Sequence, residues 1–295
     1  MYEKYYNKLR EECLIRNRSP RTADTYIKNI NHFMKWTGYK PMEELTLQDA
    51  RVFILSKRHS GAAASTCNFY NSSICFLYKH VLLIPWDQDT VPRMKLDTKL
   101  PDVLTLEEIE KLIDSAREIR NKTIIALLYS SGLRVGELVK LRPEDIYMST
   151  MQVYVPKSKN HRDRWTILSN RALELLKEYW RSYPVKRDVL FVSLDAPHDP
   201  LKVSGVEIML RVVGKDAGIS IHPHTLRHSF ASHMIEQGVP INFVQSMLGH
   251  RCLESTQVYI HISNKTVMGI KSPLDHPVKK KRGRKPKKTD GDMNE

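Results

Sequence analysis

The chain has 295 residues, and 47 Lys+Arg against 33 Asp+Glu give a formal net charge of +14. Apolar residues make up 41%, aromatics 8% and charged residues 27%, ordinary globular proportions that exclude a wholly disordered, collagenous or coiled-coil chain and suit one large domain or two of usual size. Four cysteines without a CxxC pair argue against a disulfide scaffold or zinc ribbon. No apolar run approaches the ~20 residues of a membrane span. The start, MYEKYYNKLREE, is too charged for a signal peptide, so a soluble intracellular protein is expected.

In chain order, residues 3–16 form a first helical segment. Ser19 and Pro20 supply an N-cap and an N1 proline for a second, in which Tyr26, Ile30, Phe33 and Met34 recur at helical spacing until Gly38. Thr46 caps a third, and a fourth runs from about Ala62 to Leu83, so residues 1–86 read as a small helical bundle. Residues 87–102, with two prolines and no periodicity, read as an interdomain linker. Thr105 to Glu108 is a capping box opening a helix that places Ile109, Leu112 and Ile113 on one face. A helix from Ile124 to Ser131 ends at Gly132, and another starts near Val135. MQVYV at 151–155 and RWTIL at 164–168 are short β-rich runs around a polar turn, hence a hairpin. Helical stretches follow at 170–181, 203–216, 225–236 and 241–248. The fold class is therefore mostly α with a small antiparallel β-sheet in the second domain, residues 103–275, and a tail at 276–295.

The positive charge is not confined to that tail. Residues 279–288, KKKRGRKPKK, hold eight cations; removing them and the three acids that follow leaves +9 over residues 1–278. A basic body with a basic tail points to a polyanionic partner, nucleic acid, and the dispersed cations do not form the face of a membrane-bound helix. The tail itself reads as electrostatic DNA binding, a minor-groove hook or an import-like run. Lys285 interrupts the hook core between Arg284 and Pro286, and unfolded electrostatic contact is the reading taken here.

No GxxxxGK[ST], no GxGxxG after a strand and no GxSxG is present, so no nucleotide cofactor is expected. Four other pieces stand out: SGLRVGEL around Arg134, SKNHRDR around Lys159, HTLRHSF from His224, and LGH at 248–250 with Tyr259 nine residues beyond His250. Their residue types suit attack on a phosphodiester without a metal. Arginines never deprotonate and grip phosphate bidentately, so two of them with histidine donors can do the work of divalent cations. A tyrosine, with an ordinary pKa near 10, becomes a nucleophile in such a field. A lysine or histidine can protonate the leaving 5′-oxygen. Plainer readings stand beside these. Arg134 and Glu137 have the spacing of a surface ion pair, and His222, His224, His228 and His233 raise the question of a metal site. No HExxH glutamate or cysteine pair accompanies them, so metal is not expected and His228 and His233 read as packing or hydrogen-bonding residues.

These motifs, in this order, resemble the tyrosine recombinases of the phage-integrase type, including Xer-like resolvases and integron integrases. The resemblance covers nearly everything except the tail. It implies a helical, SAM-like core-binding domain at 1–86 and a catalytic domain at 103–275. It further implies that Arg134, Lys159, His224, Arg227, His250 and Tyr259 are the catalytic set. Aligning the hairpin on Asp163 and Arg164 selects Lys159, whereas aligning on its start selects Lys157. The activity implied is site-specific recombination through a 3′-phosphotyrosine and a Holliday junction. Double-stranded DNA recombination sites and a homo-tetramer on two sites are the implied partners, with accessory DNA-bending proteins as a further class. The setting is a bacterial cytoplasm, at the nucleoid. A type IB topoisomerase and a noncatalytic DNA-binding protein of the same fold are the rival readings.

Overall fold

The computed structural model describes residues 2–96, 101–156, 163–183, 188–193 and 199–249. The hairpin residues Lys157 and Lys159, the residues His250 and Tyr259, and the tail at 276–295 lie outside these. The chain divides into two compact units, Met1–Lys99 and Leu100–Glu295.

The first unit holds helices α1 (Glu3–Ile15), α2 (Pro20–Trp36), α3 (Leu47–His59) and α4 (Ala64–Phe76). The Ser19 hydroxyl accepts the Thr22 N–H at 3.1 Å ahead of Pro20, and Thr46 forms a reciprocal capping box with Asp49. Ile30, Phe33, Phe53 and Ile74 are buried together, with Phe33 and Phe53 edge to face at 5.2 Å. The fourth predicted helix departs from its expected form. At Leu77–Leu82 it widens into a π-helical turn, which buries Tyr78 and lets its hydroxyl donate to the Thr46 carbonyl at 2.9 Å. Burial is the main reason the Tyr78 pKa is raised.

The boundary between the two units falls inside the segment read as a linker, residues 87–102. Residues 87–96 are held against the first unit, with Val91 buried and Trp86 and Met94 packed on its core. Two asparagines of α4 do this. The Asn68 amide accepts the Met94 N–H and donates to the Met94 carbonyl, both at 2.8 Å, and Asn71 donates to the carbonyls of Val91 and Pro92 at 3.2 Å. The segment is irregular: side-chain amides pair its backbone, and Val91 and Met94 anchor it without a repeating apolar spacing.

In the second unit, α5 (Leu106–Ser115), α6 (Ile119–Ser130), α8 (Asn170–Ser182), α9 (Val203–Ala217), α10 (Pro223–Glu236) and α11 (Ile241–Leu248) accompany a small sheet against which α11 packs, and α7 (Val135–Leu138) is a single turn. The Thr105–Glu108 capping box forms as the sequence predicts. Helix α6 starts five residues earlier than expected and lies at the centre, with Ile124 through Leu128 all buried. The sheet has three antiparallel strands, β1 (Ile146–Tyr147), β2 (Gln152–Val155) and β3 (Arg164–Ile167), in the order β1-β2-β3. The predicted hairpin is β2–β3; β1, only two residues long, is too short to leave a pattern in sequence. Val153, Val155, Arg164 and Thr166 are buried, while Trp165 and Ile167 are exposed. Tyr147 and Tyr154 pack on the Trp165 ring at centroid distances of 4.7 and 5.0 Å. No described helix is long and apolar enough to cross a membrane.

Asn68→Ala should leave the Met94 amide and carbonyl unpaired and destabilise the first unit by about 1–3 kcal/mol. Limited trypsin digestion of the variant should show faster cleavage at Arg93 and Lys95 than in wild type, together with a lowered melting temperature.

Candidate active site

Three segments distant in sequence meet in the second unit: the loop after α6, the inner face of β3, and the end of α11. Gly132 makes the first possible. It has φ +59°, and a Cβ there would lie 2.4 Å from the Phe230 ring of α10, so only glycine permits both the turn and the close approach. Leu133 is buried, and Arg134 follows in extended conformation as the residue capping α7, not as part of a helix. The i,i+3 ion pair with Glu137 forms, but with a buried carboxylate and not as a surface pair. The α7 residue Glu137 is buried, and its Oε2 accepts the Arg134 backbone N–H at 2.8 Å while its Oε1 accepts the Arg134 guanidinium at 3.0 Å. The Arg134 side chain keeps about a quarter of its surface exposed (27%), so it is held from behind with one side open.

A second arginine completes Glu137. Arg164, at the first position of β3, sends Nη1 and Nη2 to the two carboxylate oxygens at 2.8 and 2.7 Å, and its Nε to the Met247 carbonyl at 2.7 Å. Burial pushes the Glu137 carboxyl upward, but the hydrogen bond and charge of Arg164, with the N–H and charge of Arg134, outweigh it and hold the pKa at about 2. Glu137 is thus ionised at neutral pH and holds Arg134 by backbone and guanidinium. Arg164 is a residue that the sequence reading used only to align the hairpin. The available signal was its place on the inward face of a strand, where a charged side chain requires a buried partner.

Arg227 lies one turn inside α10 and is 3% exposed. Its Nη1 donates to the Gly132 carbonyl at 2.7 Å and its Nη2 to the Leu248 carbonyl at 2.6 Å. It therefore joins the segment carrying Arg134 to the turn that leads to His250. His224 is exposed in the first turn of α10, where Pro223 occupies N1. Its ring sits 6.2 Å from that of His228. Burial, aided by the charges of His224 and Arg227 and opposed by Asp102, lowers the His228 pKa. His233 shares a hydrogen bond of 2.8 Å with the Tyr129 hydroxyl, the role expected for it. Among the described residues, no group of three or more His, Cys, Asp or Glu side chains has the placement to hold a metal ion. The structure thus brings together Arg134, Arg227 and the α10 turn that carries His224. Lys159, His250 and Tyr259 lie outside the described residues, although Arg164 and Gly249 are the residues from which the hairpin and the His250 segment depart.

The folded pKa of Glu137 lies below its ordinary 4.5, so its contribution to stability is complete above about pH 5 and is lost as pH falls toward 2. Glu137→Gln should lower the unfolding free energy at pH 7 by about 3 kcal/mol. Urea melts of wild type and variant between about pH 3.5 and 7 should show that difference narrowing as the solution becomes more acidic.

Residues 102–266 match the model of the phage integrase family, and residues 5–88 match its N-terminal SAM-like domain. Among similar proteins, a tyrosine recombinase of Thermosipho africanus is 32% identical over 266 residues, covering 85% of this chain and 92% of that one. Tyrosine recombinase XerA of Pyrococcus horikoshii is 31% identical over 252 residues, covering 85% and 86%. The fold is similar to that of XerH site-specific recombinase in a post-cleavage complex with palindromic difH (TM-score 0.70, 22% identity, 85% of this chain and 79% of that one). It is also similar to lambda integrase in a tetramer bound to a Holliday junction (TM-score 0.71, 19% identity, 92% and 79%). With the family model spanning more than half of the chain and relatives above 30% identity along most of it, the chain belongs to the phage integrase family and is a tyrosine recombinase of the Xer-like type.

Proposed function

We propose that this recombinase cuts and rejoins DNA at specific sites with Tyr259 as nucleophile and Arg134, Lys159, His224, Arg227 and His250 as its partners. The observation that carries the reading is the Arg227 guanidinium, which binds the Gly132 and Leu248 carbonyls and so joins the loop of Arg134, helix α10 and the end of α11. The Tyr259 oxygen attacks the scissile phosphorus, a P–O bond to tyrosine forms, and the bond to the 5′-oxygen breaks. Arg134, Arg227 and His250 neutralise the phosphate oxygens as charge builds on them. Lys159 gives its proton to the leaving 5′-oxygen, and His224 assists proton transfer at tyrosine. The 5′-hydroxyl of another strand then attacks the 3′-phosphotyrosine and reverses the bond changes. Because the ester conserves the energy of the broken bond, the cycle needs no nucleotide, and the arginine field does the work of a metal.

The same reading gives the division of labour. The helical first unit contacts DNA and the second carries the chemistry, four protomers act on two sites, and accessory DNA-bending proteins assist. The tail at 276–295 adds counterion-release affinity without choosing a sequence. The protein would work at the nucleoid of a bacterial cytoplasm.

Tyr259→Phe should abolish a detergent-stable covalent complex on a suicide substrate nicked near the cleavage position, while site binding stays near wild type. Chelator should leave wild-type capture unchanged. A covalent band of normal intensity from the variant would remove Tyr259 from its role.

The hairpin lysines are separable by leaving-group chemistry. Lys159→Ala should slow cleavage by about 10²–10⁴-fold and regain much of that on a 5′-bridging phosphorothiolate, whose leaving group needs little protonation. Lys157→Ala should weaken DNA binding and show no such recovery. The reverse pattern would transfer the general acid to Lys157.

A further inference from the structure

We propose that Arg164 is a positioning residue of the recombination reaction, a buried fork that fixes Arg134 and the end of α11 against the start of β3. The inference rests on the reading above, in which Arg134 acts on the scissile phosphate.

Arg164 is itself no phosphate ligand. It is 7% exposed, and three of its N–H groups are committed to Glu137 and to the Met247 carbonyl. What it does is join three segments. Its backbone is the point where the lysine hairpin rejoins β3, five residues after Lys159. Its Nη atoms grip the carboxylate that holds Arg134 by both backbone and guanidinium. Its Nε caps a carbonyl in the last turn of α11, three residues before His250. Gly249 is cut to fit it: a Cβ there would stand 2.9 Å from the Arg164 Cδ and 3.3 Å from its Nε and Nη1. The glycine of LGH thus makes room for an arginine belonging to the hairpin. Lysine could not substitute, because one ammonium cannot span two carboxylate oxygens and a carbonyl in a fixed plane.

The test uses the full-length protein on the nicked suicide substrate and measures three quantities: melting temperature, DNA affinity, and single-turnover cleavage with the protein saturated by DNA. Leu112→Ala, a buried α5 position, serves as a destabilised control assayed well below its own melting temperature. Arg164→Lys should melt cooperatively and bind the site within about threefold of wild type. Its cleavage should fall on the order of 10²-fold, the scale expected when reacting groups are misplaced by about 1 Å. Leu112→Ala should cleave within about threefold of wild type despite its lower melting temperature. A second variant, Arg164→Met with Glu137→Gln, removes both buried charges and so avoids an uncompensated ion. It should regain stability and still cleave slowly; cleavage restored along with stability would show that Arg164 only balances charge and would overturn the proposal. So would Arg164→Lys cleaving at the wild-type rate, or losing binding and cleavage in the same proportion. Wild-type protein that forms no covalent product would overturn the underlying reading instead, and the proposal with it.

Discussion

Taking a carboxylate and a guanidinium out of water costs several kcal/mol for each ion, and the loss is offset only when nearly every lone pair and N–H finds a partner. Glu137 meets that condition. Its Oε1 receives one N–H from Arg134 and one from Arg164, and its Oε2 receives the Arg134 backbone N–H and the second Arg164 nitrogen. A displacement of any contributing segment would leave a charge unpaired in the interior, so the arrangement tolerates very little movement. The loop after α6, the foot of β3 and the turn of α7 are therefore locked to one another by electrostatics as well as by packing.

The same principle governs the end of α11. The final carbonyls of a helix have no partner within it and carry the negative end of its dipole. Here Met247 and Leu248 present theirs to Arg164 and Arg227, two cations from different elements. Gly249 then takes φ +66° and the chain departs toward His250 from a point fixed on both sides. Arg227 serves twice, since its other nitrogen binds the Gly132 carbonyl at the base of the Arg134 loop. Buried arginines thus carry positional information in the second unit that a purely apolar core, being non-directional, could not supply.

The first unit solves a different problem with neutral groups. Its helices are built on aromatic and aliphatic contacts, and residues 87–96 add amide–backbone hydrogen bonds to the burial of Val91. Asn68 and Asn71 pair with backbone at Val91, Pro92 and Met94 much as a neighbouring strand would, and Asn29 donates to the buried Ser73 hydroxyl at 2.9 Å. The cost of burying these polar side chains is met only by making their hydrogen bonds.

Much of this was legible in the residues alone. The caps at Ser19, Thr46 and Thr105, the apolar spacing of α2 and α5, and the alternation in MQVYV and RWTIL are local signals, and local signals specify local structure. The order of SGLR, HTLRH and LGH likewise carried the resemblance to the tyrosine recombinases, the family to which the chain belongs. What only the tertiary structure decided were the partnerships across sequence. Arg164 looked like a hairpin anchor until it was seen beneath Gly249 and against Glu137, 27 residues away in the chain. Residues 87–96 show no periodicity, and only the fold shows that Asn68 and Asn71 pair their backbone while Val91 and Met94 join the core. Arg134 and Glu137 had the spacing of a surface pair, and only the packing shows that the carboxylate is buried against Arg164. Spacing along the chain reports which face of an element a residue occupies; which distant group meets it there is settled by how the elements pack.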